Sequence, residues 1–342
     1  MKQICVLPGD GIGPEVIGSA VSVLERATDG LQFSYGAIGQ SAMESHGSAL
    51  PDETLELMRG SDSTLFGAAT SGTGEGYASP VLRFRKDLDL FANVRPIKSY
   101  HSKAIANDLD IVIVRENTEG LYNQEERVTP EGVITLRKVT ASASDRIVRF
   151  AIGYAGRNGR RSVCCVHKSN VLRRSDGLFL SRFRELMAAE GGALEARDQL
   201  VDSAGLKLVL HPKQFDVIVT LNLYGDILSD VAAGVVGGLG FVPSGNIGPT
   251  HSVFEPAHGS APDIQGRDIC NPTAAILAGA MMLRHLEMRR EADSIERAIS
   301  IVYSSGKLTC DLGGPLGTEA FTHEVLRALD AGGDRKAARP SS

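Results

Sequence analysis

The stretch Asn222-Leu223-Tyr224-Gly225-Asp226-Ile227-Leu228-Ser229-Asp230 comes directly after an apolar, β-branched run that begins at Val217. Val217–Asn222 reads as a strand, and a helix opening near Gly225 would carry both aspartates. In open α/β sheets the carboxyl end of a strand is where ligands bind. On such a helix Asp226 and Asp230 stand four residues apart and share a face. Two like charges so placed destabilise a helix unless a cation stands between them. An all-oxygen donor pair suits Mg²⁺ or Mn²⁺ better than zinc. The bland alternative has one aspartate capping the helix and the other solvated. Asp202, in Leu200-Val201-Asp202-Ser203-Ala204, would be a third oxygen donor, although alone it reads as a loop carboxylate.

Working outward, Ile4–Leu7, Thr64–Gly67, Ile111–Arg115 and Ser162–His167 are further compact strand candidates. Pro14–Ala27, Ala143–Gly156, Gly177–Glu190, Thr273–His285 and Ser294–Ser304 carry helical periodicity. The alternation predicts an α/β fold with a mostly parallel sheet. Within Gly120–Val139, Val128–Thr129 and Val133–Thr135 flank a Pro-Glu-Gly turn, which predicts a hairpin arm projecting from the body. The tail Ala331–Ser342 is small, polar and basic, and reads as disordered.

The 342 residues correspond to two domains at roughly 150 residues each. A net charge of −5 gives no basic excess for nucleic acid, and no run approaches the roughly 20 apolar residues of a membrane helix. The five cysteines include no Cys-x-x-Cys spacing, so neither a zinc site nor a disulfide framework is indicated. Buried thiols in a reducing cytoplasm fit best, and the apolar start Met1–Leu7 is too short for a signal peptide.

Arg85, Arg95 before Pro96, and Arg115 opening Arg-Glu-Asn-Thr-Glu-Gly all accompany turn or strand-end signals. Singly each reads as a surface ion-pair partner; converging, their forked guanidinium groups would suit a di- or tricarboxylate. Tyr122 and Lys168 are candidate proton-transfer groups, Lys168 because it ends an apolar strand. The cluster Gly9-Asp10-Gly11-Ile12-Gly13-Pro14 invites a dinucleotide-binding reading, but proline replaces the third glycine of the fingerprint. A tight turn needing glycine dihedrals is the alternative. A second small-residue region, Gly237–Gly248 and then His258-Gly259-Ser260-Ala261-Pro262-Asp263, would allow close approach of a phosphate. An acidic group beyond it could bind a ribose diol and repel a 2′-phosphate.

These residues together resemble the β-decarboxylating dehydrogenases of isocitrate, 3-isopropylmalate, homoisocitrate and tartrate. The likeness runs from Gly9–Glu15 to Asp311-Leu312-Gly313-Gly314, with Arg115–Gly120, Asn222–Asp230, His258–Asp263 and Asn271-Pro272-Thr273 in order. It implies two open α/β domains with a large mixed sheet and a clasp arm at the interface of a homodimer or tetramer. Residues 1–97 with 248–342 would form the cofactor-binding domain, and 98–247 the other. Arg85, Arg95 and Arg115 then resemble the clamp on a malate-type head, with Ser79 and Asn170 also on the substrate. Asp226 and Asp230 resemble metal ligands joined by Asp202 from the partner subunit, and Lys168 likewise reaches across. Tyr122 resembles the acid that protonates the enol. NAD would sit on Thr70, Glu255, His258, Gly259, Ser260, Ala261, Asp263, Ile264 and Asn271. Family members that use NADP carry Lys-Tyr where this chain has Asp263-Ile264, so NAD is favoured.

The substrate's third arm is read by Tyr77-Ala78-Ser79-Pro80-Val81-Leu82-Arg83-Phe84. Isocitrate enzymes resemble this at the serine but carry asparagine where Val81 stands. The segment, with Phe91–Pro96 and His167–Leu172, most resembles homoisocitrate dehydrogenases, making homoisocitrate the leading substrate and isocitrate the second. Isopropylmalate, tartrate and a phosphonomethylmalate are further possibilities, with Ser79 and nearby Arg83 available to an anionic arm. A non-catalytic regulatory subunit would have lost some of these groups; a generic 2-hydroxyacid dehydrogenase would need no metal and release no carbon dioxide.

Overall fold

The computed structural model describes residues 1–70 and 79–332. Tyr77, Ala78 and the tail beyond Gly332 therefore lie outside the described residues. Ala331, expected in a disordered tail, instead ends a helix.

The chain opens with β1 (Lys2–Gly9), α1 (Gly13–Ala27), β2 (Leu31–Tyr35), α2 (Gln40–His46), α3 (Asp52–Gly60) and β3 (Ser63–Ala68). Pro14 in the first turn of α1 has no N–H to leave unpaired, which suits it to that place. Next come α4 (Pro80–Asp87), β4 (Ala92–Lys98) and β5 (Asp110–Glu116), then the hairpin β6 (Glu126–Thr129) and β7 (Gly132–Thr135). The second half holds α5 (Ala141–Arg157), β8 (Ser162–His167), α6 (Ser175–Glu190), β9 (Glu195–Leu200), α7 (Val201–Leu210), β10 (Val217–Thr220) and α8 (Asn222–Val236). The chain closes through β11 (Pro243–Ile247), β12 (Ser252–Pro256), α9 (Thr273–His285), α10 (Arg289–Ser304) and α11 (Thr318–Ala331).

Among the described residues ten strands form one sheet in the order β2-β1-β3-β12-β11-β4-β5-β10-β8-β9, and β6 and β7 pair separately as the predicted arm. Most neighbours are parallel, but β12–β11, β11–β4 and β4–β5 are antiparallel, so the sheet is mixed. Helices cover both faces. Val94, Val112, Val114 and Val219 pack against α5 and α6, while Ile111, Ile113 and Ile218 pack with α7 and α8. At the other end α1, α9, α10 and α11 share one core, and α3 and α4 close the opposite face. No helix among the described residues is long and apolar enough to cross a membrane.

Several elements start earlier than the sequence suggests, α10 by five residues, and the junction before the two aspartates differs too. The strand stops at Thr220 and α8 begins at Asn222, one turn before Gly225. Leu221 occupies the cap position without a side-chain cap, so neither Asp226 nor Asp230 is a helix cap.

Candidate active site

β4 and β5 pair with Asn93 opposite Arg115 and Arg95 opposite Ile113. Cross-strand partners share a face, as do residues two apart, so Asn93, Arg95 and Arg115 project to the same side. Both arginines are buried, Arg115 at 1% exposure. A polar network holds them. Arg95 Nε donates to Asn93 Oδ1 at 3.0 Å, and Asn93 Nδ2 donates to Ser244 Oγ at 2.8 Å and Asn246 Oδ1 at 2.9 Å. Asn246 Nδ2 donates to Glu255 Oε1 at 2.7 Å, and that oxygen also accepts from Arg85 Nη2 at 3.2 Å. Sequence reading missed Asn93, Ser244 and Asn246; the available signal was their polarity at inward positions of otherwise apolar strands. Glu255, expected on the cofactor, lies in this network beneath Arg85.

The side chains of α8 meet this arginine face. Arg115 donates to Asn222 Oδ1 at 2.9 Å and binds Asp226 Oδ1, while Tyr122 Oη donates to Asp226 Oδ2 at 2.5 Å. Arg95 lies 3.4 Å from Asp226 and 3.6 Å from Asp230, bridging the two carboxylates. Burial pushes the Asp226 carboxyl up, but Arg115, Tyr122 and Arg95 outweigh it and hold the group below the usual range. Asp230 is raised, by burial and by Asp226 against the opposing pull of Arg95. Arg115 is brought down to about 10, first by burial and then by repulsion from Arg85 and Arg95. That mutual repulsion shows the three guanidinium groups lie close together, with Asp226, Asp230 and Glu255 as their carboxylate partners. Arg85 Nε is buried without a hydrogen-bond partner among the described residues, as expected of a donor that serves a ligand.

Tyr122 sits on a 3₁₀ turn with Arg115 stacked 4.9 Å over its ring. Burial raises its phenol above the ordinary value, against the pull of Arg115. It is therefore protonated at neutral pH, as a proton donor must be. Ser79 caps α4 by accepting from the Leu82 N–H at 3.4 Å, and with Leu82, Arg85, Asn117, Tyr122 and Lys138 it lines a cleft of about 690 Å³. Arg83 lines the same cleft, but its guanidinium already has partners. Its guanidinium donates to the Leu50 carbonyl and to Asp52, each at 2.6 Å, and faces Asp87 at 3.5 Å.

Lys168, Asn170 and Asp202 stand apart from this cluster. Lys168 Nζ meets Asp202 Oδ1 at 2.5 Å, beyond β8 and at the start of α7, and Asn170 is exposed in the same loop. Buried Asp176, unnoticed in the sequence, accepts from the Lys168 N–H at 2.7 Å and from Arg137 at 2.6 Å. Among the described residues no three His, Cys, Asp or Glu side chains gather as a metal site within the chain. Asp226 and Asp230 supply two hard oxygen donors, a fit to part of a Mg²⁺ or Mn²⁺ shell.

The glycine loop is structural. A side chain at Gly9, Gly11 or Gly13 would run into the carbonyls of Ala68, Ser260 or Pro8, leaving no room there for a pyrophosphate. The loop instead carries the 258–261 segment: Ile12 N–H donates to the Ser260 carbonyl at 2.8 Å, and Thr70 Oγ1 to Ser260 Oγ at 2.9 Å. Asp10 ties in the flanks by accepting from the N–H groups of Gln40 and Thr70. On this bed stand His258, Gly259 and Ala261, the last at φ +37°. His258 Nδ1 faces the Gly259 carbonyl at 3.0 Å, while its Nε2 is buried without a partner among the described residues, which suits a contact to a cofactor group. Asp263 is exposed and Ile264 half-buried on the next turn, and Asn271 accepts from the Thr273 N–H just before α9 while donating to Asp311.

Comparison with known proteins agrees with this geometry. The isocitrate/isopropylmalate dehydrogenase family matches along residues 3–329. This chain belongs to that family. It is thus a β-decarboxylating dehydrogenase, not a generic 2-hydroxyacid dehydrogenase. It is 47% identical to the 3-isopropylmalate dehydrogenase of Methanothermobacter thermautotrophicus, over 96% of this chain and 98% of the relative. It is also 47% identical to the isocitrate/homoisocitrate dehydrogenase of Thermus thermophilus, with the same coverage. The homoisocitrate dehydrogenase of Methanocaldococcus jannaschii is 44% identical, over 96% of this chain and 98% of the relative. The isocitrate dehydrogenase of Methylococcus capsulatus superposes with a TM-score of 0.93 at 41% identity, covering 96% of this chain and 99% of that one.

Proposed function

We propose that this chain oxidises and decarboxylates a 2-hydroxy-3-carboxy acid with NAD, homoisocitrate being the leading substrate and isocitrate the second. The observation that carries the reading is the convergence of Arg85, Arg95 and Arg115 on a face shared with Asp226, Asp230 and Tyr122. Homoisocitrate rests on the resemblance of the segment 77–84, with Phe91–Pro96 and His167–Leu172, to homoisocitrate dehydrogenases, and relatives of near-equal identity act, by name, on homoisocitrate, isocitrate and isopropylmalate.

The arginines would hold the two carboxylates of the malate head by paired charge-assisted hydrogen bonds. Their burial keeps those bonds strong and the substrate in one orientation. When bound, a divalent cation on Asp226 and Asp230 would polarise the hydroxyl oxygen, and the nicotinamide would accept the hydride. Tyr122 keeps its proton on Oη next to Asp226 and is positioned to deliver it to carbon after carbon dioxide leaves. Lys168 would assist removal of the hydroxyl proton.

Lys168 and Asp202 stand away from Tyr122 in the chain, so the complete site needs a homodimer in which the partner subunit's Lys168 and the partner subunit's Asp202 reach this one. Leu206, Val209 and Leu210 on α7, Ile227 on α8, and Val128, Val133 and Ile134 on the β6–β7 arm are exposed apolar side chains that support such an interface. Residues 98–247 would then form the dimerising domain, and 1–97 with 248–342 the cofactor domain.

The test is NADH formation by the purified chain with Mg²⁺ across homoisocitrate, isocitrate, isopropylmalate, tartrate and phosphonomethylmalate, repeated with chelator. Turnover that is strongest on homoisocitrate and lost with chelator is expected. Equal rates for every acid would refute the reading of Ser79–Phe84 as the specificity segment.

A further inference from the structure

β4 has two faces, and only one of them serves the site above. Arg95 projects toward Asp226, whereas Val94, Pro96 and Lys98, alternating with it, line a separate cavity of about 400 Å³ on the other side of the sheet. The cavity lies where α5 and α9 pass over β4. One side of its lining is apolar, formed by Phe150, Ile247, Phe254, Leu277 and Met281, and the other is charged. The volume falls within the range of small-molecule sites, roughly 300–1,000 Å³.

The charges around it are unbalanced in a specific way. Each carboxylate in the lining already has an arginine: Asp110 holds Arg160 at 2.6 Å, Glu296 holds Arg284 at 2.5 Å, and Glu287 faces Arg289 at 3.4 Å. Two lining cations are left over. Arg157 makes no ion pair among the described residues, and Lys98 has only the ring of Tyr100, 5.6 Å away. Tyr100 and Tyr154 also face the space, and neither hydroxyl makes a hydrogen bond to protein among the described residues. Burial raises both phenols, so each remains a donor. Arg157 is exposed and Lys98 half-buried, so both can turn to an anion seated against the apolar side.

We propose that this cavity is a second binding site, for a small carboxylate with an aromatic or branched apolar body. The carboxylate would meet Arg157, Lys98 and the tyrosine hydroxyls, and the body would lie along Phe254, Leu277 and Met281. Because β4 forms the floor of this site and also carries Arg95, an occupant here touches the strand that orients the substrate arginines from behind.

The probe is 1-anilinonaphthalene-8-sulfonate, an anion with an aromatic body that fluoresces when desolvated, titrated into the full chain and displaced with phenylpropionate. Saturable binding is expected, competitive with phenylpropionate, and at least tenfold weaker in the Lys98→Glu/Arg157→Glu double variant. That variant leaves the active-site residues untouched, so its NADH formation checks that the fold is intact. Unchanged dye affinity in the variant would overturn the proposal. So would displacement of the dye by malate, which would put the dye at the arginine clamp instead.

Discussion

Gly225 in α8 offers a direct test of how tightly Arg115 is set. A Cβ at Gly225 would fall 2.6 Å from Arg115 Cβ and 2.7 Å from its Cγ, where ordinary contacts are nearer 3.4–4 Å. Gly225→Ala must therefore open this contact by about 1 Å, through movement of α8 or of the Arg115 stem. The stem is not free to move, since its head is tied to Asn222 and Asp226 and stacked over Tyr122. Overpacking of this kind costs about 1–3 kcal/mol, while alanine gains roughly 1 kcal/mol over glycine in a helix. The net loss of stability is thus small, about 0–2 kcal/mol. Activity suffers more, because a 1 Å misplacement of a group that orients substrate costs on the order of 100-fold. That is about 2.7 kcal/mol of transition-state stabilisation. The measurement is kcat/KM for NADH formation, beside urea unfolding. Gly18→Ala is the control: the same change on the exposed side of α1, with nothing within 4 Å of the new Cβ, should raise the urea midpoint and leave kcat/KM unchanged. Wild-type kcat/KM in Gly225→Ala would refute the claim that contact with α8 fixes Arg115.

Three further perturbations concern buried or unpartnered groups. Asp176→Ala leaves Arg137 without its carboxylate and the Lys168 N–H unpaired, and should cost about 3 kcal/mol in urea unfolding; a loss below about 1 kcal/mol would show the pair is dispensable. His101 packs 4.7 Å from Phe241 with neither ring nitrogen well partnered, and burial lowers its pKa despite the nearby Val236 backbone and Asp311. A histidine depressed in the folded state binds fewer protons there than when unfolded. The wild type should therefore lose stability relative to His101→Phe as pH falls below about 6.5, by at most about 1.4 kcal/mol per unit; parallel pH profiles would contradict this. Ile227→Arg, on the exposed face of α8, should shift the sedimenting species from two chains to one and abolish turnover together with it; an unchanged dimer would exclude this face as the interface.

The parts of the fold legible in the sequence were those whose burial shows in residue type. β1, β3, β5, β8 and β10 lie inside the sheet with helices on both faces, so their apolar runs are continuous. β9 is an edge strand with the sequence Glu-Ala-Arg-Asp-Gln-Leu, which has no apolar face to detect. β4 and β11 were hidden for another reason. Asn93, Ser244 and Asn246 are wholly buried yet polar, because they hold arginines rather than pack a core. Functional strands break the pattern that marks strands. In the site, the four-residue spacing of Asp226 and Asp230 was readable from sequence alone. Their link through Arg95, and the pairing of Lys168 with Asp202 away from them, depend on long-range register and were not.

That division bears on how substrate choice could be encoded. Arg85, Arg95 and Arg115 are locked by the network running from Asn93 to Glu255 and by α8, so the part that reads the malate head is rigid and expensive to alter. The first turn of α4 is different. Among the described residues the Ser79 side chain makes only its capping bond, Leu82 lines the cleft, and Arg83, also in the lining, is paired with Leu50 and Asp52. Exchanges at this turn change the volume and polarity offered to the third arm without disturbing a single contact of the clamp. A charged arm would meet Arg83 or Lys138, both in the lining and each beside a carboxylate, Asp52 and Glu119. An aliphatic arm needs only Leu82.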